Sequence, residues 1–437
     1  MDPQSFNALV KEFLGQPLPD ALVHQIRWPG TCPATGNFIL RMLKLMQRAG
    51  YPVFEFTPFL MRGISVTVQS MLPKSGSGYI PPITLQDRHR RFDTYVGKIP
   101  WPEGTPPPVF IDLGCGFPPH TTLDTARKLA DWSVIGLDHA FAPYVLYDSD
   151  GHYACFSASG ELKYFQTQMS ASGRALNDDP RLAREYFIGL FQALRKIMPP
   201  SGSDLSLSAE KDGNRLIHHH IRDFARDNLH FFEGDIQDFE CPPARIIRCM
   251  NVLPYYRHSG QKQILSAAVK LLHGAGRIIV GFNHYLGRGA RYTIYRKRGG
   301  HAWPSAFAFS LDNLRPLDLS PWYTLHDEDR DTAFLADIIR SIRSDTTVWP
   351  VFNQRVDDLM AHLDISRRGR DGFLHFPHNP GPINELIERV KTLWKRLENE
   401  QWADDIVAVL NNCGYRSWVN RVGDVAVQPP ADWLSTM

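Results

Sequence analysis

Residues 109–126 read VFIDLGCGFPPHTTLDTA, and no other segment restricts the fold as tightly. A short apolar run leads directly into Gly114-Cys115-Gly116, and a helix is expected to open near Thr121, with Thr121 or Thr122 as its cap and Asp124 in the first turn. Glycines at such a turn admit positive φ and let a ligand approach the backbone. The helix amino terminus adds a partial positive charge facing the same point. A strand that is apolar on both faces must be covered by helices above and below, which points to an α/β fold with a mostly parallel, doubly wound sheet.

Four further runs have the same character: residues 133–137, 228–233, 244–250 and 276–282. Around them the chain divides into four parts. Residues 1–105 read as a mainly helical cap, with Phe6, Leu9, Val10 and Phe13 at helical spacing, Gly15 as a stop and an apolar run over 37–48. The Pro-rich stretch 101–108 marks the boundary. Residues 106–283 form the core, interrupted by an insertion at about 141–227 that carries a helix near 180–197. Residues 284–399 are a second insertion, too long for a plain connection. Residues 400–437 return as a helix and a hairpin at the sheet edge.

The turn has partners. The second strand ends in Gly136-Leu137-Asp138, and a carboxylate at that tip is placed to accept from both hydroxyls of a ribose. The third runs into Gly234-Asp235-Ile236, which supplies another acid and an apolar neighbour able to pack on a base. The fourth leads into Cys249-Met250-Asn251-Val252-Leu253-Pro254-Tyr255-Tyr256.

This set resembles the class I S-adenosylmethionine-dependent methyltransferases. Asp112, Gly114 and Gly116 match that family's acid-x-Gly-x-Gly motif, Asp138 its ribose acid, and Asp235 with Ile236 its adenine motif. The closing helix and hairpin are similar to its reversed last strand. The resemblance therefore implies a seven-stranded Rossmann-like sheet and S-adenosyl-L-methionine as co-substrate. It implies a cofactor seat of Asp112, Gly114, Cys115, Gly116, Asp138, His139, Asp235, Ile236 and Asn251. The run 249–256 is also similar to a segment of chemotaxis-receptor glutamate methyltransferases, read here as a likeness of the cofactor site. Pro118 stands where the family often has a third glycine, and Pro119 where a dinucleotide-binding fingerprint requires one.

Methyl transfer demands alignment of the acceptor and, for some acceptors, removal of a proton. His284 and Tyr285, just beyond the fifth strand, are the expected groups, His284 by virtue of its intrinsic pKa. No carboxylate cluster closes the fourth strand, so no metal is expected. His218-His219-His220 reads as an exposed helical stretch and residues 326–331 as a turn or helix start. The six cysteines form no C-x-x-C pair and read as reduced thiols in a cytoplasmic protein.

With 48 basic residues against 46 acidic ones, no global field draws the chain to nucleic acid. No stretch is expected to span a membrane and no secretory leader is read at the start. A small-molecule acceptor enclosed by the cap and the insertions is the preferred reading. Two alternatives stand beside it: an RNA or protein substrate held by the basic, tyrosine-bearing segment 288–298, and a non-catalytic cofactor-binding regulatory protein. The oligomeric state is not readable.

Overall fold

The computed structural model describes residues 1–26, 33–70, 84, 86–99, 107–166, 180–199, 206–283, 289–327, 329–376, 383–430 and 433. In chain order the strands are β1 (Val109–Leu113), β2 (Ser133–Asp138), β3 (Tyr144–Tyr147), β4 (Tyr153–Phe156), β5 (Leu162–Gln166), β6 (Leu207–Lys211), β7 (Asn214–His218), β8 (Leu229–Glu233) and β9 (Ala244–Met250). They continue with β10 (Leu272–Phe282), β11 (Arg291–Arg298), β12 (His301–Phe309), β13 (Arg367–Arg368), β14 (Leu374–His375), β15 (Ser417–Val419) and β16 (Val425–Val427).

Nine of these form one sheet in the order β8-β2-β1-β9-β10-β11-β12-β16-β15. The pairs from β8 through β10 are parallel, and those from β10 outward are antiparallel. The chain builds β2 and β8 on one side of β1, then crosses back to lay β9 and β10 on the other. The carboxyl ends of β1 and β9 are therefore the switch point, where the connections leave in opposite directions and open a crevice.

The apolar runs explain the two covered faces. Phe110, Val134, Ile246 and Ile279 pack against Phe92 and Val96 of the Arg90–Gly97 helix and Leu123 of the His120–Lys128 helix. Ile111, Leu137, Ile247 and Val280 pack against Leu265 and Ala268 of the His258–Leu271 helix. Side chains of this size contribute roughly 1.5–3 kcal/mol each when fully buried.

Three features depart from the sequence expectations. The sheet has nine strands rather than seven, because β11 turns back directly beside β10 and is followed by β12. The tail hairpin lies at the far edge of this wider sheet, where β16 pairs with β12. Residues 218–220 do not form a helix: His218 ends β7, whose Leu216 alternates inward to a buried position. Finally, Thr121 and Thr122 lie inside the first helical turn instead of capping it; the amide of Thr121 donates to Thr84 Oγ1 at 3.2 Å.

The segment between β2 and β8 holds a five-stranded antiparallel sheet, β5-β4-β3-β7-β6. The Pro180–Ile197 helix covers it, with Phe156 and Phe191 stacked at 4.1 Å. The helices Pro3–Leu14, Pro33–Arg48 and Pro58–Ser70 share one apolar core with Arg330–Arg343, Val348–His362, Ile383–Glu398 and Trp402–Asn412. Buried Glu55 pins the two groups together through Arg343 at 2.7 Å and Arg315 at 3.4 Å. Among the described residues no helix is long and apolar enough to cross a membrane.

Candidate functional site

The glycine turn sits at the carboxyl end of β1. Gly114 and Gly116 have φ of 75° and 64°. The Gly114 amide donates to Leu137 O at 2.8 Å and the Cys115 amide to the same oxygen at 3.3 Å, which lashes the turn to β2. A side chain at Gly114 would place its Cβ 2.3 Å from Val252 Cγ2, so the segment after β9 crowds the turn as well. Cys115 is buried, and burial reinforced by Asp138 and Asp112 pushes its thiol well above the usual range.

Asp138, at the tip of β2, accepts from the Gly116 amide through Oδ2 at 2.7 Å, while Oδ1 has a long contact of 3.5 Å with the Ala140 amide. Burial raises this carboxyl against the lowering effect of those amides. Gly234 donates to Asp138 O at 2.8 Å, which brings the end of β8 alongside. His139 and Asp235 are exposed there, with Asp235 Oδ1 accepting from the Gln237 amide at 2.8 Å. Ile236 is buried in the cluster that contains Leu113 and Leu137.

Asp112 faces inward. Arg248 of β9 holds it through Nε to Oδ1 at 2.9 Å and Nη2 to Oδ2 at 2.6 Å, and Thr122 Oγ1 donates to Oδ2 at 2.7 Å. Arg248 Nη1 also donates to Asp93 Oδ1 at 2.7 Å. Burial pushes Asp93 up to about 6 despite that contact. The motif acid thus anchors β1, β9 and two helices to one another.

Asn251 occupies the left-handed region with φ 60°, which is uncommon for a residue with a side chain. Its amide donates to Gly281 O at 2.8 Å. Its side chain donates through Nδ2 to Asn283 Oδ1 at 2.8 Å and accepts through Oδ1 from the Asn283 amide at 3.0 Å. Asn283 Nδ2 then donates to Arg88 O at 2.7 Å, and Arg88 Nη2 donates to Asn283 O at 3.0 Å. Asn283 was legible as a polar residue at a strand end. Arg88 was not, since it belongs to a turn remote in sequence.

His284 and Tyr285 lie outside the described residues. The structure brings Gly114, Cys115, Gly116 and Asp138 together, joins Asp235 and His139 at the neighbouring strand ends, and sets Asn251 across the crevice. Beyond Asn251, Leu253, Pro254, Gly281 and Phe282 continue into a cavity that Arg291, Tyr295, Asp331 and Trp433 also line. Burial, reinforced by Asp329, pushes Asp331 up to about 6.

The basic segment is a strand of the sheet. Arg291, Tyr292 and Tyr295 are buried, and Arg291 is held by Tyr323 O at 2.7 Å, Thr332 Oγ1 at 2.9 Å and Ser320 O. Its tyrosines are thus closed to a base, and Arg298 lies over the Trp303 ring at 4.8 Å. Residues 329–331 are a helix start, with Asp329 as the cap. Among the described residues, no three His, Cys, Asp or Glu side chains converge as a metal site would require.

No family model matches the chain, and no curated protein does. One solved structure that it is similar to is the O-methyltransferase family 2 protein from Planctomyces limnophilus DSM 3776 in complex with apigenin, at 14% identity and a TM-score of 0.21. The likeness covers 60% of this chain and 47% of that one, so it spans about half the neighbour's length. So loose a superposition defines no shared function. The class of molecule is set by its own topology, a Rossmann-like α/β sheet with a glycine turn at the switch point.

Proposed function

We propose that the protein is an S-adenosylmethionine-dependent methyltransferase acting on a small molecule. The observation that carries this reading is the Gly114–Gly116 turn held against Asp138 at the adjoining ends of β1 and β2. Among the described residues the contact of Asp138 Oδ1 is the long one of 3.5 Å to the Ala140 amide, which fits a carboxylate reserved for a sugar hydroxyl. Exposed Asp235 suits an adenine amino group. Asp112 does not fit the seat, because both its oxygens are committed to Arg248 and Thr122.

When bound, the cofactor supplies a methyl group on a positively charged sulfur. The chain's part is to hold the two reactants in line, since alignment alone accounts for much of such a displacement. In this reading Asn251 and Asn283 fix the wall of the crevice, and His284 and Tyr285 are the catalytic groups, with His284 as the base. The cap (1–105) and the insertions (141–227 and 284–399) enclose the acceptor. A small molecule is favoured over RNA by the burial of Tyr292 and Tyr295.

Calorimetry with S-adenosylmethionine and S-adenosylhomocysteine tests the seat, and both are expected to bind. Incubation of the protein with radiolabelled methyl donor and a fractionated cell extract then tests transfer, with label expected in the low-molecular-weight fraction. Absence of binding heat for both nucleosides sinks the reading.

A further inference from the structure

Arg88 brings a guanidinium to the carboxyl ends of β9 and β10. Its Nη2 donates to Asn283 O, and its backbone oxygen accepts from Asn283 Nδ2, so the segment is clamped to the residue that pairs with Asn251. Its Nε is buried and has no hydrogen-bond partner among the described residues. No carboxylate among them forms an ion pair with Arg88; the ionisable groups that act on it are the phenols of Tyr255 and Tyr153.

The fully buried arginines behave differently. Arg248 is paired with Asp112 and Asp93, and Arg315 with Glu55 and Asp357. Arg291 is surrounded by oxygen acceptors and has Asp329 at 4.0 Å. A guanidinium remains protonated in a protein, and a desolvated cation without a counter-charge is costly. Burial accordingly lowers the pKa of Arg88.

The surroundings are flat and aromatic. Tyr255 and Tyr323 lie with ring centroids 6.4 Å apart, and Phe282 stacks on Tyr323 at 5.2 Å. Tyr153 and Tyr164, from the five-stranded sheet, share Gln166 Oε1 at 3.1 and 3.0 Å. Tyr255 and Tyr153, from two separate stretches of chain, act on the arginine, and the other rings pack around these two.

We propose that Arg88 is a carboxylate-binding group, and that its missing counter-charge arrives with a ligand. Arg forms bidentate bonds with carboxylates, and the edge that does so carries the unpartnered Nε and Nη2, which donates to Asn283 O and keeps a second N–H. Resting on the methyltransferase reading, the carboxylate belongs either to the methionine end of the donor or to an aromatic acid serving as acceptor.

The test is calorimetry on the wild type, Arg88→Gln and Arg88→Lys. The probes are S-adenosylhomocysteine, 5′-methylthioadenosine, which lacks the amino-acid end, and a set of aromatic carboxylates with their primary amides. Arg88→Gln is expected to weaken carboxylate probes at least tenfold, with partial recovery in Arg88→Lys. Methylthioadenosine and the amides should be unchanged in both variants. Loss confined to S-adenosylhomocysteine assigns the site to the donor; loss confined to the aromatic acids assigns it to the acceptor.

Equal weakening of charged and neutral probes, or affinities for the carboxylates within twofold of wild type, overturns the inference. So does a wild-type protein that binds no carboxylate probe more tightly than its neutral counterpart, a comparison that needs no variant. Failure of both nucleosides to bind counts against the methyltransferase reading alone, because the acid-against-amide comparison is made without them.

Discussion

Arg248 and Asp112 form a two-pronged ion pair in the middle of the sheet, with both side chains removed from solvent. Asp93 takes the remaining arm of the same guanidinium. Burial alone would lower the pKa of Arg248, but the two carboxylates hold it above the usual arginine value. The relationship turns a motif acid into a structural hub, because its partner is a residue 136 positions away.

Arg248→Met leaves Asp112 and Asp93 buried without a counter-charge. A loss of about 3–5 kcal/mol in unfolding free energy is expected, measured by urea denaturation. The triple variant Arg248→Met, Asp112→Leu, Asp93→Leu should recover much of that loss. If Arg248→Met costs under about 1 kcal/mol, the ion pair is not holding the strands together.

Gly114→Ala meets two obstacles. The φ of 75° costs an alanine about 1–2 kcal/mol, and the added carbon would press on Val252 Cγ2. The variant should melt several degrees lower and bind S-adenosylhomocysteine poorly. Adding Val252→Ala should restore part of the melting temperature, and an absence of recovery would show that the contact is not the cause.

Asp138→Ala strips the Gly116 amide of its acceptor. An unsatisfied buried donor costs about 1–3 kcal/mol, and nucleoside affinity should fall at least tenfold by calorimetry. Unchanged affinity would remove Asp138 from the cofactor seat.

Asp331 gives a pH-dependent stability. Folded Asp331 keeps its proton up to about 6, above the ordinary carboxyl value of 3.8. Its contribution is therefore present in full below about pH 4 and is lost as the pH rises through 6. Thr293, Arg291, Arg330 and Asp329 face it. Asp331→Asn, which cannot ionise, should match wild type near pH 4 and exceed it by up to roughly 3 kcal/mol at pH 7.5, as judged by chemical denaturation. A difference that does not vary with pH would contradict this assignment.

Thiol labelling separates the cysteines. Cys115, Cys155 and Cys249 are buried, whereas Cys413 is exposed. Iodoacetamide on the native protein at pH 8 should modify Cys413 within minutes and spare those three until denaturant is added, as read by peptide mass spectrometry. Early modification of Cys115 would mean that the turn opens.

Local patterns revealed the parallel strands because each is a short apolar run bounded by turn residues, as with Val109–Leu113 and Ala244–Met250. They did not reveal β3 to β7. Runs of four or five residues such as Tyr153–Phe156 acquire meaning only when a helix covers their aromatic face. Nor did they show that Arg291–Arg298 is a strand; its charges read as a surface until Arg291 is seen buried among oxygen acceptors.

The sequence by itself determined the glycine turn, the acid at the tip of β2 and the apolar runs, since backbone freedom and hydrophobic period are local properties. Tertiary structure decided what those groups face. Only the packing of β9 against β1 commits Asp112 to Arg248, only the pairing of β11 with β10 extends the sheet to nine strands, and only the approach of a distant turn brings Arg88 to Asn283. Burial and charge pairing depend on neighbours far away in the chain, and such neighbours exist only after the fold has formed.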